Sequence, residues 1–174
     1  MSKLKILDFS GSLRKASSNS GLIRAAKEIA GDEMDINFID ISSFPLYNHD
    51  LEASFPPELT SLKKQIREVD GIIIATPEFN RSIPGALKNM LDWTSRPYGD
   101  NAWDNKRVVT MGASPGNVGT ALAQYHLKQI LLYLNARLQG QPEFYVSNAS
   151  DKFDKEGNLT DPKTKEYIKK LLNL

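Results

Sequence analysis

Hydroxyl, amide and guanidinium side chains crowd one short stretch of the sequence, residues 10–20, which we name the first loop. It contains Arg14, Asn19 and a run of serines, and it separates an apolar strand-like run from a helical pattern. Free N–H groups at a helix N-terminus, the helix dipole and an arginine fork all favour a phosphate dianion. A helix cap needs a single such residue, so this excess of donors predicts a phosphate site.

The type of phosphate follows from what the first loop lacks. It has neither the G-x-G-x-x-G pattern of a dinucleotide site nor the G-x-x-x-x-G-K-[ST] pattern of a nucleoside triphosphatase. Asp40 ends the second predicted strand, where a Rossmann fold would hold a ribose, but without the glycines it is interpreted as a loop or cap residue. Side-chain donors around one terminal phosphate indicate a phosphomonoester such as FMN.

A second candidate segment, residues 76–85 or the second loop, directly follows a β-branched run. Its two prolines, Pro77 and Pro84, stiffen a turn whose N–H groups are suited to the polar edge of a flat heterocycle such as isoalloxazine. A rigid strand-to-helix connection explains the same residues equally well. Both interpretations stay open at this stage.

The third loop, residues 112–119, matches G-x-S-x-G, the pattern of a hydrolase nucleophile elbow centred on Ser114. The residue after the nucleophile must donate its N–H to the oxyanion, and Pro115 has none. The triad order is Ser, acid, His, yet no acid lies between Ser114 and His126. The small residues therefore favour close approach of the backbone to a ligand face rather than hydrolysis.

Alternating apolar runs and helical periodicities must position these loops. Strands are predicted at 4–9, 36–41, 71–76, 108–111 and 144–146, and helices around 22–30, 59–69, 84–93, 127–138 and 162–172. This order indicates an α/β fold, a five-stranded parallel sheet with helices on both faces. The flavodoxin-like order and half of a Rossmann sheet remain as alternatives, and both place ligands at the carboxyl ends of the strands.

Composition narrows the classes of protein. The 174 residues suit a single domain over 1–174, and 22 basic against 21 acidic residues give a net charge of +1. We therefore expect no nucleic-acid or anionic-membrane partner. The absence of cysteine excludes disulfides and thiolate chemistry. The apolar start is too short for a signal peptide or a membrane span, so a cytoplasmic location is expected.

At these loops the chain resembles the NADPH-dependent FMN reductase family, which includes bacterial quinone and chromate reductases and some azoreductases. Residues 11–19 look like its phosphate motif GSLRxxSxN, and residues 77–93 are similar to its PEYNxSxPGxLKNxxDW segment. The resemblance covers nearly the whole chain. It implies a flavodoxin-like three-layer sandwich with strand order 2-1-3-4-5.

The resemblance also implies a function. The family uses FMN to pass hydride from NAD(P)H, through flavin N5, to a small-molecule acceptor: a quinone, a flavin, an azo compound or a metal oxyanion. The chemistry is the cofactor's, so no catalytic side chain and no metal are expected. A homodimer or homotetramer is implied, with residues 88–103 as a possible subunit contact. The alternative is a flavodoxin-type electron carrier without NAD(P)H turnover, although such carriers are usually strongly acidic.

Residue by residue, the cofactor-binding positions fall on the three loops. The FMN phosphate is assigned to the first loop and the flavin ring to the other two, through Ser12, Arg14, Ser17, Ser18, Asn19, Ser20, Pro77, Glu78, Phe79, Asn80, Arg81, Ser114, Pro115 and Gly116. Two positions depart from the family pattern. Phe79 replaces a tyrosine, which removes a hydroxyl, and Thr120 replaces a glycine, which is expected to tighten the ring face.

Overall fold

The computed structural model describes residues 3–172 and contains one twisted sheet between two layers of helices. The strands are β1 (Leu4–Ser10), β2 (Met34–Ile39), β3 (Gly71–Ala75), β4 (Arg107–Ala113), β5 (Arg137–Leu138) and β6 (Tyr145–Val146). The helices are α1 (Ser18–Ala30), α2 (Pro57–Glu68), α3 (Gly85–Thr94), α4 (Ala121–Tyr133) and α5 (Pro162–Leu172). Short 3₁₀ turns span His49–Ser54 and Ala149–Asp151.

The sheet order is β2-β1-β3-β4-β5, and all its pairings are parallel. This confirms the flavodoxin-like fold and removes the half-Rossmann alternative. Central β3 is buried along its whole length, as its continuous GIIIA run predicted. Leu7 and Phe9 of β1 face α2, α3 and α4, whereas Ile6 faces α1 and α5. Alternate side chains of β1 therefore point toward two separate cores.

The end of the fourth helix differs from the sequence prediction, which extended its apolar stripe to Leu138. Helix α4 ends at Tyr133, and Asn135 then adopts a left-handed conformation with φ 59°. A left-handed residue cannot continue an α-helix, and asparagine tolerates that conformation well. Leu138 lies instead in β5, paired with Val108. Leu134 and Leu138 therefore have helical spacing although they do not share a helix.

The fifth position of the sheet is divided between two short strands. β5 pairs with the start of β4, and β6 pairs with its end, through Gly112 opposite Tyr145. The predicted strand at 144–146 is thus confirmed as β6, while β5 was missed. Residues 139–144 interrupt the edge, and they include Gly140 and Pro142, which are poor strand formers.

The tryptophans of the segment 88–103 pack inside the protein. Trp93 and Trp103 have no exposed surface, and the Trp93 Nε1–H donates to the carbonyl of Pro45 at 2.7 Å. The Asn89 amide also binds the segment before α2, accepting from Tyr47 N–H at 2.7 Å. These residues of the family-like motif fix the chain before α2 onto α3, so neither tryptophan is available for a subunit contact.

Candidate functional site

The three loops meet at the carboxyl edge of the sheet because β1, β3 and β4 are neighbours there. Backbone hydrogen bonds join their starting points: Gly11 N–H donates to Ala75 at 2.8 Å, and Thr76 N–H donates to Met111 at 3.0 Å. These bonds join residues that are 64 and 35 positions apart in sequence, so the three loops form one continuous rim along this edge of the sheet. This is where ligands bind in doubly wound sheets.

The first loop ends in a capped helix start. Ser17 is the N-cap of α1, and its Oγ accepts from the N–H groups of Asn19 and Ser20 at 3.2 and 3.3 Å. Upstream, Ser20 Oγ donates to Ser10 Oγ at 3.0 Å, and Ser10 Oγ donates to the carbonyl of Ser12 at 3.3 Å. These bonds fold the loop back over the end of β1.

The same loop leaves a set of donors free. Within residues 3–172, the exposed Arg14 guanidinium forms no hydrogen bond or ion pair, and the N–H groups of Leu13, Lys15 and Ala16 donate to no protein acceptor. A helix N-terminus, unpaired N–H groups and a free guanidinium make a donor set that fits a phosphate dianion. The structure therefore offers at this loop the chemistry that an FMN phosphate requires.

The Asn19 side chain, which the resemblance assigns to the phosphate, is bonded to the protein. It is buried, its Nδ2 donates to the carbonyl of Ala113 at 3.0 Å, and its Oδ1 accepts from Ala113 N–H at 2.9 Å. The side-chain N–H and oxygen of Asn19 are therefore both bonded to the last residue of β4. Asn19 ties the first loop to the third loop, while Ser12, Arg14, Ser18 and Ser20 remain partly or fully accessible.

The second loop contains a tight reversal at residues 79–82. Phe79 and Ser82 exchange both backbone hydrogen bonds, at 2.9 and 3.0 Å. Asn80 and Arg81 between them have φ values of 51° and 65°, the conformation of a type I′ turn. Phe79 is 55% exposed at the tip. The loop therefore presents an apolar ring and two turn N–H groups beside the rim.

Glu78 and His126 connect the second loop to α4. Glu78 Oε2 accepts from the N–H of Ala123 at 3.1 Å, at the start of α4, where the helix dipole favours a carboxylate. Ser82 Oγ lies 2.7 Å from His126 Nδ1. These contacts could not be predicted from the sequence, because no sequence signal joins residues 44 or 45 positions apart. Both contacts fix the position of the turn that carries Phe79.

The third loop has no hydrolytic machinery. Ser114 N–H donates to Val146 at 3.0 Å, and Ser114 Oγ faces the carbonyl of Gly116 at 3.4 Å. In the part of the chain that the structure describes, no histidine or carboxylate bonds that hydroxyl. Pro115 and Gly116 lie exposed on the rim, which suits close approach to a flat ligand.

Thr120 does not face the rim. Its side chain is buried, and its Oγ1 accepts from Gln124 Nε2 at 3.0 Å. A Cβ added to Gly112 would lie 2.0 Å from that oxygen, so the small residue at 112 accommodates the larger one at 120. The backbone of Thr120 has φ 73°, which explains why glycine is favoured at this position. The expectation that Thr120 tightens the ring face is not supported by this orientation.

A cavity of about 500 Å³ lies between the first loop, α1 and the end of β2. Asp8 of β1 lies at its floor, and Arg14, Lys15, Lys27 and Phe38 are among its lining residues. Asp8 is fully buried, and its carboxylate oxygens have no hydrogen-bond partner among the described residues. Burial raises the pKa of Asp8 to about 7, although the positive charge of Lys27 acts in the opposite direction. In the sequence, this residue falls within an apolar strand and carries no signal of a function.

Two other site classes find no support in the described structure. Residues 3–172 contain no cluster of three or more histidine or acidic side chains placed to hold a metal ion. Over the same range, no helix has the length and apolarity needed to cross a bilayer.

Known proteins share both the sequence and the fold. A family model described as NADPH-dependent FMN reductase matches residues 4–151. The chain is 41% identical over 170 residues to a 2-hydroxy-1,4-benzoquinone reductase of Burkholderia sp, covering 98% of this chain and 93% of that protein. It is 43% identical over 170 residues to an NAD(P)H-dependent FMN reductase of Pseudomonas aeruginosa, covering 97% and 91%.

One solved structure combines fold and sequence similarity. The flavoenzyme NAD(P)H:(acceptor) oxidoreductase FerB from Paracoccus denitrificans superimposes with a TM-score of 0.88 at 36% identity. The superposition covers 96% of this chain and 92% of FerB.

Proposed function

The chain belongs to the NADPH-dependent FMN reductase family, and we propose that its three loops hold FMN so that reductant and quinone use one exposed flavin face in turn. Family membership confirms the resemblance seen in the sequence. The protein is an NAD(P)H-dependent oxidoreductase with FMN as its cofactor. The residues that bind FMN, the preferred acceptor and the subunit arrangement are the proposed parts.

The first loop is proposed to hold the FMN phosphate. The observation that carries this assignment is the free donor set, the Arg14 guanidinium together with unpaired N–H groups before the N-terminus of α1. Ser12, Ser18 and Ser20 add accessible hydroxyls. Ser17 and Asn19 contribute by shaping the loop, since their side chains are buried and already bonded.

The second and third loops are proposed to border the flavin ring. Pro77, Phe79 and the turn N–H groups of Asn80 and Arg81 lie on one side of the rim, and residues 114–116 lie on the other. Glu78 supports this arrangement through its bond to the start of α4. When bound, FMN supplies the hydride transfer, so the protein needs no nucleophile or general base of its own. Its task is to orient the ring and to stabilise negative charge on it with N–H donors.

A quinone is proposed as the acceptor. The curated relatives include a 2-hydroxy-1,4-benzoquinone reductase and several proteins named quinone reductases. The exposed Phe79 ring at the rim provides a flat apolar surface of the kind that a quinone can pack against. Steady-state turnover of the FMN-loaded chain with NADH or NADPH and a benzoquinone tests this proposal.

Parallel double-reciprocal lines are expected, because the reductant must leave before the acceptor occupies the same face. Phe79→Ala should lower kcat/KM for the quinone several-fold. Tyr167→Ala, which removes a similarly exposed ring from α5, should leave it unchanged. An FMN-loaded chain that shows no NAD(P)H oxidation with any acceptor would support the electron-carrier alternative instead.

A homodimer or homotetramer is also proposed, with α4 rather than residues 88–103 as the subunit contact. Since Trp93 and Trp103 are buried, the aromatic segment that contains them does not supply the contact. Helix α4 carries a stripe of exposed apolar side chains instead: Leu122, Tyr125, Leu132 and Tyr133 are 45%, 52%, 70% and 83% exposed. Exposed large apolar side chains gathered on one helix are typical of a protein interface.

Light scattering at micromolar concentration tests the assembly. The wild-type chain should have at least twice the monomer mass, and the double variant Leu132→Lys/Tyr133→Lys should shift toward the monomer. Leu46→Lys changes an equally exposed apolar residue outside α4 and should leave the mass unchanged. A monomeric wild type would contradict the proposal.

Two broader statements accompany this function. We propose that residues 1–174 act as one domain, since the described strands belong to one sheet that the helices cover on both faces. A cytoplasmic location is proposed because NAD(P)H, the reductant, is available there.

A further inference from the structure

Asp8 lies beneath the first loop, and no hydrogen bond from the described residues compensates a charge on its carboxylate. In the sheet it is flanked by Phe38 of β2 and Ile73 of β3, and both of its oxygens are buried without a hydrogen bond among the described residues. It shares its face of β1 with Ser10, two residues further along. Ser10 in turn bonds Ser12 and Ser20 of the first loop. Asp8 is thus directly below the loop that is assigned to the phosphate.

The charged groups around Asp8 come from three elements. Lys27 and Arg24 extend from α1, but the Arg24 guanidinium is held by the carbonyl of Gly157 and by Asn158. Arg14 and Lys15 come from the first loop, and the exposed Asp40 follows β2. The neighbour on β3 is the uncharged Ile73. Lys27 is the group whose charge opposes protonation of Asp8.

We propose that Asp8 determines how strongly the site selects a phosphorylated flavin over its dephosphorylated form: the protonated carboxyl admits the phosphate dianion, and the ionised carboxylate penalises it. This inference rests on the proposed role of the first loop. Asp8 lines the same cavity as Ser12, Arg14 and Ser20 of that loop. Even at roughly 10 Å within protein, repulsion between a carboxylate and a dianion reduces affinity about tenfold or more.

The protonation of Asp8 changes in the neutral range because burial disfavours its charged form. A bound dianion disfavours that form further. By linkage, binding of FMN near neutral pH must then be accompanied by uptake of a proton at Asp8, and binding of riboflavin must not. Selectivity for FMN over riboflavin therefore falls as pH rises through the titration of Asp8.

Fluorescence titrations of the flavin-free full chain with FMN and with riboflavin, at pH 6 and pH 8.5, test this inference. The variants are wild type, Asp8→Asn and Asp40→Asn; the last removes an exposed carboxylate from the same cavity. From pH 6 to pH 8.5, the FMN-to-riboflavin ratio of Kd should rise about tenfold more in wild type and Asp40→Asn than in Asp8→Asn. Ionisation of the FMN phosphate itself is common to all three proteins and cancels.

Identical profiles in wild type and Asp8→Asn would overturn the inference. So would a riboflavin affinity that changes in step with the FMN affinity, because riboflavin has no phosphate to repel. If Asp8→Asn does not fold, calorimetry of the wild type in buffers of different ionisation enthalpy gives the proton count directly. Uptake is expected with FMN at pH 7.5, and zero uptake or release would contradict it. A failure of every variant to bind FMN at either pH would refute the proposed function instead.

Discussion

At the level of single residues, the first loop divides its polar side chains between two tasks. Ser17 and Asn19 are buried and satisfied by the protein, so they shape the loop. Arg14 is exposed and has no partner within residues 3–172, so its guanidinium is free for a ligand. Residue type alone did not separate these tasks, because serine, asparagine and arginine all suit a phosphate site.

Arg14→Ala should weaken FMN binding by about 1.5–3 kcal/mol, the usual contribution of a hydrogen bond to a charged group. This corresponds to roughly 10- to 150-fold in Kd. The fold should stay intact, since Arg14 is exposed. Fluorescence titration with FMN measures the change.

Riboflavin and Arg14→Lys provide the controls. Riboflavin affinity should be the same in wild type and Arg14→Ala, because only FMN carries the phosphate. Arg14→Lys keeps the charge but loses the fork, so its FMN affinity should be intermediate. Equal FMN affinity in wild type and Arg14→Ala would remove Arg14 from the site.

Ser114→Ala should reduce flavin affinity or turnover by about 0.5–1.5 kcal/mol, the contribution of one hydrogen bond. The hydroxyl faces the carbonyl of Gly116 and has no catalytic partner in the described structure. Loss of a true nucleophile would instead cost on the order of a million-fold. Turnover of the flavin-saturated variant decides between the two. A near-total loss with FMN still bound would mean that Ser114 reacts.

At the level of elements, the site depends on ties between segments that are far apart in sequence. Asn19 joins the start of α1 to the end of β4, and Glu78 joins the second loop to the start of α4. Parallel strands bring their following loops to one edge of the sheet, but these side chains fix the distances between the loops. Their loss should therefore affect both stability and ligand binding.

Asn19→Ala should lower the free energy of unfolding by about 2–4 kcal/mol, because it leaves the buried N–H and C=O of Ala113 without partners. Urea unfolding measures this change. The exposed Asn117→Ala in the third loop is the control and should change stability by less than about 0.5 kcal/mol. A fully stable Asn19→Ala with weakened FMN binding would show that the amide acts on the ligand and not as a tie.

For the whole molecule, Asp8 makes folding depend on pH. Its pKa in the folded protein is about 7, compared with an ordinary value of 3.8, so the folded protein retains a proton that the unfolded chain has lost between these pH values. Stability then falls as pH rises from about 4 to about 7, and levels off above. At about 1.4 kcal/mol for each pKa unit, Asp8 costs on the order of 4 kcal/mol at pH 8.

Asp8→Asn should remove this dependence. Urea unfolding of the flavin-free protein at pH 5 and pH 8 should show wild type losing about 2–4 kcal/mol more than the variant between the two pH values. The cost of burying the amide that the substitution introduces is the same at both pH values, so it cancels from this comparison. Parallel changes in the two proteins would show that Asp8 does not titrate in this range.

The sequence alone determined the class of fold and indicated the edge of the sheet at which the site is proposed. Continuous β-branched runs such as residues 71–75 predict strands buried on both faces, and their alternation with helical stripes predicts a parallel sheet. Ligand sites at the carboxyl ends of such strands follow from that topology. Local chemistry also excluded hydrolysis at the third loop, because Pro115 lacks an N–H wherever the loop lies.

The tertiary structure decided which polar side chains of the three loops are bonded within the protein and which stay free. Asn19, Glu78 and His126 bond partners that are 94, 45 and 44 residues away, and no local pattern encodes such distances. Leu138 fitted a helical period yet pairs in the sheet, because a left-handed Asn135 ends the helix first. Asp8 looks like an ordinary strand residue in sequence. In the folded protein its carboxylate is buried and has no hydrogen-bond partner among the described residues. The ionised form is therefore disfavoured, and the pKa rises.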